Sequence, residues 1–271
     1  MYSNKDGLKF VLNQIRNDLN VTENTAHGSE ALSARGDENG TLFEKYIENL
    51  LTSNEGGFTL ISLDKNKKGW SELQLTTARL KDYLATGQYD MVTKHFKLTG
   101  RNNIFIQQSD NPPDVILYID GVVYYIEAKK TTKNSITYGD NLPKPDYIYI
   151  LRDTKNKVQT VYFGDDIISK EDRDETYRIR DEWKQALAKV NEEYTRKLPT
   201  KLWGFHTRSG FSSTIGGLYT MPSASPYREQ REGRVLNYID TGIKDKEPTK
   251  TKEVKEGIWA WCVEGKNTDE Q

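Results

Sequence analysis

Two acidic residues and a lysine stand in a pattern that could hold a metal ion and act on a phosphate. Asp114 follows Pro113, and one residue separates Glu127 from Lys129. Two carboxylates that lie close together repel unless a cation neutralises them, and hard oxygen ligands of this kind suit Mg²⁺. An adjacent ammonium can hold or help to deprotonate a water, or offset the negative charge of a phosphate.

The residues between the two acids predict a β-hairpin that would set their distance. Two β-rich runs, 114–119 and 122–129, flank the pair Asp120-Gly121. That dipeptide, between β-branched and aromatic residues, is the strongest short-range signal for a two-residue hairpin turn. With these two residues as the loop, the last residue of the first run faces the first residue of the second.

This register decides which side chains share a face. It places Asp114 directly opposite Glu127, with Cβ atoms about 4.5–5.5 Å apart. The period of two in a strand puts Lys129 on the same face as Glu127 and Lys130 on the other face. An acidic pair on a hairpin that is otherwise almost entirely apolar is costly without a partner. A chance Pro-Asp and a chance Glu-x-Lys on an ordinary hairpin is the alternative interpretation.

Pro113-Asp114, followed by Glu127-Ala128-Lys129, resembles the Pro-Asp…Asp/Glu-x-Lys signature of the PD-(D/E)XK nuclease superfamily. The resemblance implies Mg²⁺ as the cofactor and Asp114 and Glu127 as its ligands, with the backbone carbonyl of Ala128 as a further ligand. It also implies that Lys129 orients or activates the attacking water.

A helix is predicted ahead of the hairpin, over residues 41–52, and it carries two glutamates. Glu44 falls at the edge of the apolar stripe and Glu48 lies further out. Enzymes of this superfamily often carry an acidic residue on such a helix that completes or supports the metal site. The resemblance therefore implies Glu44 as a catalytic residue, with Glu48 second. Two solvated glutamates near a helix start are the alternative.

The polar stretch after the hairpin is a candidate phosphate contact, because it leaves the predicted catalytic strand directly. A turn with Tyr, small polar residues, Leu-Pro-Lys-Pro and then Tyr-Ile-Tyr is similar to one that follows the motif in some type II restriction endonucleases. An ordinary polar loop is the alternative. The candidate DNA-binding residues of this region are Lys130, Lys133, Ser135 and Asn141.

A second candidate DNA-binding region covers 206–234, which shows little periodicity but many Gly, Ser, Thr, Pro, Arg and aromatic residues. A long irregular segment in a compact domain is usually functional or disordered, and the arginine fork suits guanine edges and phosphates. Any single arginine could instead be a surface salt bridge. The candidates here are Arg208, Arg228, Arg231 and Arg234.

Together these patterns predict an α/β fold with a mixed central β-sheet flanked by helices, similar to the restriction-endonuclease-like core. We expect a single domain over 1–271, with a catalytic core at about 41–163 and with 164–271 serving DNA contact or dimerisation. A helix over 169–197 is predicted, with inward-facing Tyr177, Ile179, Trp183, Leu187, Val190 and Tyr194. The other predicted helices are 5–19 and most of 71–96, and the other predicted strands are Phe58–Leu63, Ile104–Gln108, Tyr147–Arg152, Lys157–Phe163, Leu202–Phe205 and Gly257–Glu264.

Composition limits the function classes without choosing among them. The chain has 271 residues, 39 basic and 40 acidic, a net charge of -1 and a mean hydropathy of -0.79. We expect a cytoplasmic protein with no membrane partner, because no long apolar run or leader is present. The single Cys262 forms no internal disulfide. No phosphate-cradling Gly-rich loop is present, so no nucleotide cofactor is expected.

The resemblance therefore implies a Mg²⁺-dependent, sequence-specific endonuclease of double-stranded DNA, of the type II restriction class. A palindromic target would be matched by a homodimer. Two alternatives stay open at this point. One is a structure-specific or repair nuclease of the same fold, and the other is a non-catalytic DNA-binding module with a decayed site. The intact Asp114, Glu127 and Lys129 argue against decay.

Overall fold

The fold is built from six helices and eight strands in the part of the chain that the structure, a computed structural model, describes. That part comprises residues 4–17, 41–63, 70–96, 102–107, 113–119, 122–132, 136–139, 142–197, 211–212 and 222–245. The helices are α1 (Asn4–Asn17), α2 (Thr41–Leu51), α3 (Trp70–Ala85), α4 (Tyr89–Phe96), α5 (Lys170–Lys197) and α6 (Arg228–Thr241).

The strands form one large mixed sheet and one small one. The bounds are β1 (Thr59–Leu63), β2 (Asn102–Gln107), β3 (Val115–Ile119), β4 (Val122–Thr131), β5 (Thr137–Gly139), β6 (Tyr147–Asp153), β7 (Val158–Phe163) and β8 (Phe211–Ser212). The large sheet has the order β1-β2-β3-β4-β6-β7, and β5 pairs with β8. The pairs β1–β2 and β4–β6 are parallel, whereas β2–β3, β3–β4 and β6–β7 are antiparallel. The predicted mixed central sheet with flanking helices is confirmed.

One face of the large sheet is covered by α1, α2 and α6. Alternate residues of the central strands, such as Leu117 and Ile126, pack there against Leu12, Ile47 and Val235. The apolar positions of the predicted helix recur at helical spacing. Of its five apolar residues, Leu19 lies outside the described residues and the other four are fully buried. They are Leu8, Val11, Leu12 and Ile15.

The opposite face carries α3 and a cluster of tyrosines. Leu80 and Leu84 of α3 pack against Phe105 and Ile116 of the sheet. Further along the same face, Tyr138, Tyr147, Tyr149 and Tyr162 form a second buried cluster with Ile136 and Leu151. The candidate site lies on this face, between the two clusters, because Tyr125 packs against both of them.

Several expectations from the pattern need correction. The stretch 71–96 is two helices, because the chain turns at Gly87, whose φ of +71° ends α3. The predicted irregular segment 206–234 is wrong for its last part, since α6 begins at Arg228. The predicted strands Leu202–Phe205 and Gly257–Glu264 lie outside the described residues. No helix in the described ranges combines the length and apolar character needed to cross a membrane.

The inward face predicted for the long helix is wrong for half of its six residues. Three of its apolar residues are exposed: Ile179, Trp183 and Val190. The side of α5 that faces the protein carries Arg173, which is buried, and Tyr177. Apolar periodicity predicted the helix, but it assumed that the apolar face would meet the body of the protein.

Gly164 fixes the approach of two segments, and its replacement tests how closely they pack. A Cβ at this position would lie 2.0 Å from the backbone oxygen of Lys144, whereas one at Gly233 would meet nothing within 4 Å. We expect Gly164→Ala to lower the free energy of unfolding by about 1–3 kcal/mol, the usual cost of overpacking. Gly233→Ala, inside α6, should raise it by up to about 1 kcal/mol. Urea unfolding curves measure both, and equal midpoints for the two variants would contradict this packing.

Candidate active site

The hairpin brings Asp114 and Glu127 together in the predicted register. Ile119 pairs with Val122 and Val115 pairs with Ile126, as the two-residue turn requires. The turn residues themselves lie outside the described residues. Asp114 immediately precedes β3, and its Oδ2 accepts a hydrogen bond of 2.7 Å from the backbone N–H of Ala128. The side chain of Asp114 is therefore held beside the strand that carries Glu127.

Glu127 is a buried carboxylate with one hydrogen-bonded oxygen and one oxygen without a partner. Its exposed fraction is 6%. Its Oε1 lies 2.5 Å from Nζ of Lys129, as predicted from their shared face. Its Oε2 is buried and has no hydrogen-bond partner. A buried oxygen without a donor is costly, so this atom is available to a ligand with positive charge.

Burial and nearby negative charges raise the pKa of Asp114. Its pKa lies well above the usual range, first because burial disfavours the charged form, and then because the charges of Glu127 and Glu44 repel it. The ammonium of Lys129 and the N–H of Ala128 act in the opposite direction. The site therefore holds more negative charge than its own lysine offsets.

The structure separates the two glutamates of α2. Glu44 is half-buried, and its charge acts on the pKa of Asp114 from the helix side. Glu48 is buried instead, and its Oε1 lies 2.5 Å from Nζ of Lys45 on the same helix. Of the two residues, Glu44 is thus the one whose charge reaches Asp114.

Two lysines near Glu127 were not foreseen from the sequence. Burial lowers the pKa of both Lys81 and Lys144, and the charge of Glu127 raises both. Lys144 also acts on Lys81, lowering the pKa of Lys81. Lys81 comes from α3 and Lys144 from the segment before β6, so only the tertiary structure brings them together. The Leu-Pro-Lys-Pro stretch was the one available signal for Lys144.

Lys144 sits on a segment whose backbone is fixed from several sides. Its own N–H donates to Oη of Tyr149 at 2.9 Å, and Tyr149 pairs with Glu127 on the neighbouring strand. Arg173 of α5 donates to the carbonyl of Pro143 at 3.1 Å. The hydroxyl of Tyr177 accepts from the N–H of the residue before that proline, also at 3.1 Å. These bonds hold the segment against the sheet.

A wall of neutral phenols lines the same face. The rings of Tyr125 and Tyr147 stack with centroids 5.2 Å apart, and Oη of Tyr147 lies 3.3 Å from Nζ of Lys144. Burial raises the pKa of Tyr147 and Tyr149, with the charge of Glu127 adding to both. These hydroxyls consequently stay protonated at neutral pH.

Two of the four arginines chosen for DNA contact, Arg231 and Arg234, are buried. Arg234 is buried, and its Nη1 lies 2.8 Å from carboxylate oxygens of both Asp165 and Asp166. Arg231 is buried as well, with an exposed fraction of 5%. Both are therefore corrected to buried residues of α6, whose Val235 and Ile239 pack in the core on the sheet face opposite Glu127.

The remaining DNA-binding candidates stay predictions. Arg228 is half-buried, with its Nε 3.6 Å from Oε1 of Glu232. Lys130 pairs with Arg152 on the next strand and so shares its face, away from Glu127. Four further candidates were drawn from stretches outside the described residues: Lys133, Ser135, Asn141 and Arg208.

The donor set fits a hard divalent cation in its chemistry. Asp114, Glu127 and the carbonyl of Ala128 are oxygen donors of the kind that Mg²⁺ takes, and the partnerless Oε2 of Glu127 marks an unmet charge. Among the described residues, no three His, Cys, Asp or Glu side chains come together as a ready ligand group. Waters and substrate oxygens complete most Mg²⁺ sites, which need only one or two carboxylates.

Comparison with known proteins adds no family. No protein-family model matches the chain, and no curated protein or solved structure matches it significantly.

The raised pKa of Asp114 gives a stability prediction with a definite sign. The folded state favours the protonated acid, so the stabilisation that protonation contributes is present at low pH and is lost as pH rises through the raised pKa. Asp114→Asn keeps an oxygen for the N–H of Ala128 and removes the charge. Without divalent metal at about pH 8, it should raise the melting temperature by about 2–4 °C, or roughly 1 kcal/mol in a chain of similar size.

The gain should shrink toward about pH 4, near the usual value for an aspartate. The matched control is Asp82→Asn, the same chemical change at an exposed position of α3, which should leave the melting temperature unchanged. Calorimetry in a chelator-containing buffer measures the melting temperatures of wild type and of both variants. A lower melting temperature for Asp114→Asn at about pH 8 would contradict the electrostatic account.

Proposed function

We propose that this chain is a Mg²⁺-dependent endonuclease that hydrolyses phosphodiester bonds of double-stranded DNA. The observation that carries the proposal is the pairing of Asp114 and Glu127 on one hairpin, with Nζ of Lys129 2.5 Å from Glu127 Oε1 and with Oε2 buried and partnerless. Such a surplus of buried negative charge is expensive for folding alone. Its retention is explained if the site neutralises it with a cation during function.

The metal would be held by the carboxylates of Asp114 and Glu127 and by the carbonyl of Ala128, with Glu44 supporting the site from α2. When bound, Mg²⁺ supplies a lowered pKa for a coordinated water and stabilisation of the charge that develops on the phosphate. The backbone of Ala128 also fixes the ligand geometry, since its N–H holds Oδ2 of Asp114 at 2.7 Å. The other Asp114 oxygen stays available.

Lys129 is the residue that acts on the attacking water. Its side chain is about four-fifths buried, with an exposed fraction of 20%, and it is held at Glu127 Oε1. This position lets the ammonium orient the water and keeps the lysine close to the negative charge it offsets. Lys81 and Lys144 add positive charge around Glu127. We assign to them the binding of the phosphate that enters the acidic site.

Among the classes of nuclease, we propose the type II restriction endonucleases. The six-stranded mixed sheet with helices on both faces supports a restriction-endonuclease-like core of the PD-(D/E)XK type. More than half of the chain lies after the motif, as sequence readout and dimerisation would require. With Arg231 and Arg234 buried, we assign base readout to the part of the chain between the end of β4 at Thr131 and Lys144.

The first activity prediction concerns the two carboxylates. Incubation with a plasmid and a long phage genome in Mg²⁺ should give discrete fragments, and chelation of the metal should abolish them. Asp114→Asn and Glu127→Gln should reduce cleavage below detection while DNA binding stays within a few-fold of wild type. A raised melting temperature of Asp114→Asn would show that the loss is not misfolding.

Each outcome of this assay discriminates among the functions. A smear or cleavage confined to branched DNA favours a structure-specific or repair nuclease. DNA binding without any cleavage favours the non-catalytic module. Wild-type cleavage by Asp114→Asn overturns the assignment of the site.

The second activity prediction contrasts two neighbouring lysines. Lys129→Gln should lower the single-turnover rate at saturating DNA by about 10²–10⁴-fold, the usual contribution of a positioned acid–base group. Lys130→Gln, on the opposite face, is the matched control and should change this rate little. Its effect should appear as weaker binding that depends on salt. Equal losses of single-turnover rate in the two variants would contradict the placement of Lys129 and Lys130 on opposite faces of β4.

A further inference from the structure

α5 carries an apolar stripe that is largely exposed. The stripe consists of Ile179, Trp183, Leu187, Val190 and Tyr194. The exposed fractions of Ile179, Trp183 and Val190 are 54%, 44% and 48%, and the other two residues are half-buried. Large apolar side chains gathered in one exposed patch mark an interaction surface.

The spacing of the stripe indicates that its partner is a helix. Steps of four and three residues between Trp183, Leu187, Val190 and Tyr194 keep the side chains on one narrow seam. This alternation is the pattern by which a helix packs along another helix. The seam from Ile179 to Tyr194 runs for about 22 Å at the rise of an α-helix.

Other helices of the described chain do not offer such a seam. The apolar faces of α1, α2 and α6 are buried in the core on one side of the sheet. Leu80 and Leu84 of α3 are buried on the other side. Among the helical side chains that the structure describes, those of α5 form the long exposed stripe. The matching partner is therefore α5 of a second copy.

The charges of α5 favour an antiparallel arrangement of two copies. Its first half, 170–183, has four basic and six acidic residues, and its second half, 184–197, has four basic and two acidic. An antiparallel pair places each acidic half beside a basic half, whereas a parallel pair places like beside like. α5 is attached to the rest of the protein by hydrogen bonds of Arg173 and Tyr177 to the 142–146 segment. These two residues lie on another side of the helix, so the attachment leaves the seam accessible.

We propose that two copies of this chain associate through α5, packed antiparallel to α5 of the partner subunit. The two-fold axis crosses near Gln185, between Trp183 and Leu187. Trp183 then packs against Leu187 of the partner subunit, and the interface is isologous, as a two-fold contact must be. The inference rests on the exposed stripe and its charges, and it is independent of any nuclease activity.

Sedimentation equilibrium of the full chain over a dilution series tests the association. Wild type should show twice the chain mass of 31.2 kDa. Trp183→Lys should raise the dimer dissociation constant by about 30-fold or more, as expected for a central tryptophan. Ile243→Lys is the matched control, because Ile243 is 70% exposed and lies outside the stripe. It should leave the dissociation constant unchanged.

Charge reversal tests the orientation. Glu182→Lys and Lys189→Glu should each weaken the dimer several-fold, and the double variant should recover it. At helical spacing both residues lie on the same flank of the stripe, and the antiparallel axis brings each to nearly the level of the other on the partner. Circular dichroism confirms that each variant folds. A monomeric wild type overturns the proposal and indicates that the chain's own segments cover the stripe. Equal weakening by Trp183→Lys and Ile243→Lys, or no recovery in the double variant, overturns the interface.

Discussion

The register of the β3–β4 hairpin is the constraint on which the candidate site depends. Because side chains alternate along a strand, a slip of one residue would exchange the two faces. The apolar residues Leu117, Tyr124 and Ile126 are buried under the helices on one face. Their burial holds Glu127 on the other face and keeps Asp114 beside it. Hydrophobic packing on one side of the sheet thus imposes charge repulsion on the other.

The repulsion between Asp114 and Glu127 is large enough to lower the stability of the fold, and the neighbouring lysines neutralise it only in part. Lys129 occupies one oxygen of Glu127 while the other has no partner, and Lys81 and Lys144 lose proton affinity through their own burial. Burying four or more ionisable groups costs more than apolar residues of the same volume would. A structural role would be served better by such apolar residues. The arrangement is therefore understandable as a site that a cation and an anionic substrate complete together.

Local signals predicted the parts of this site that local chemistry determines. Asp120-Gly121 and the alternation of two strands gave the register of Asp114 and Glu127, and helical spacing placed Glu44 at the edge of α2. Lys81 escaped prediction because α3 reaches the site only through tertiary packing. Arg234 was chosen for DNA contact because composition does not tell an exposed guanidinium from one buried against Asp165 and Asp166.

α5 links the site to the exposed stripe. Its first turns carry Arg173 and Tyr177, whose hydrogen bonds to Pro143 and Leu142 fix the segment that bears Lys144. Its later turns carry the apolar seam. A helix without an internal proline curves only gently along its length, so a partner bound to the seam also fixes the place of Lys144 relative to that partner. Two active sites joined through α5 would then hold a set separation, which is the geometric condition for cutting both strands of one duplex at fixed positions.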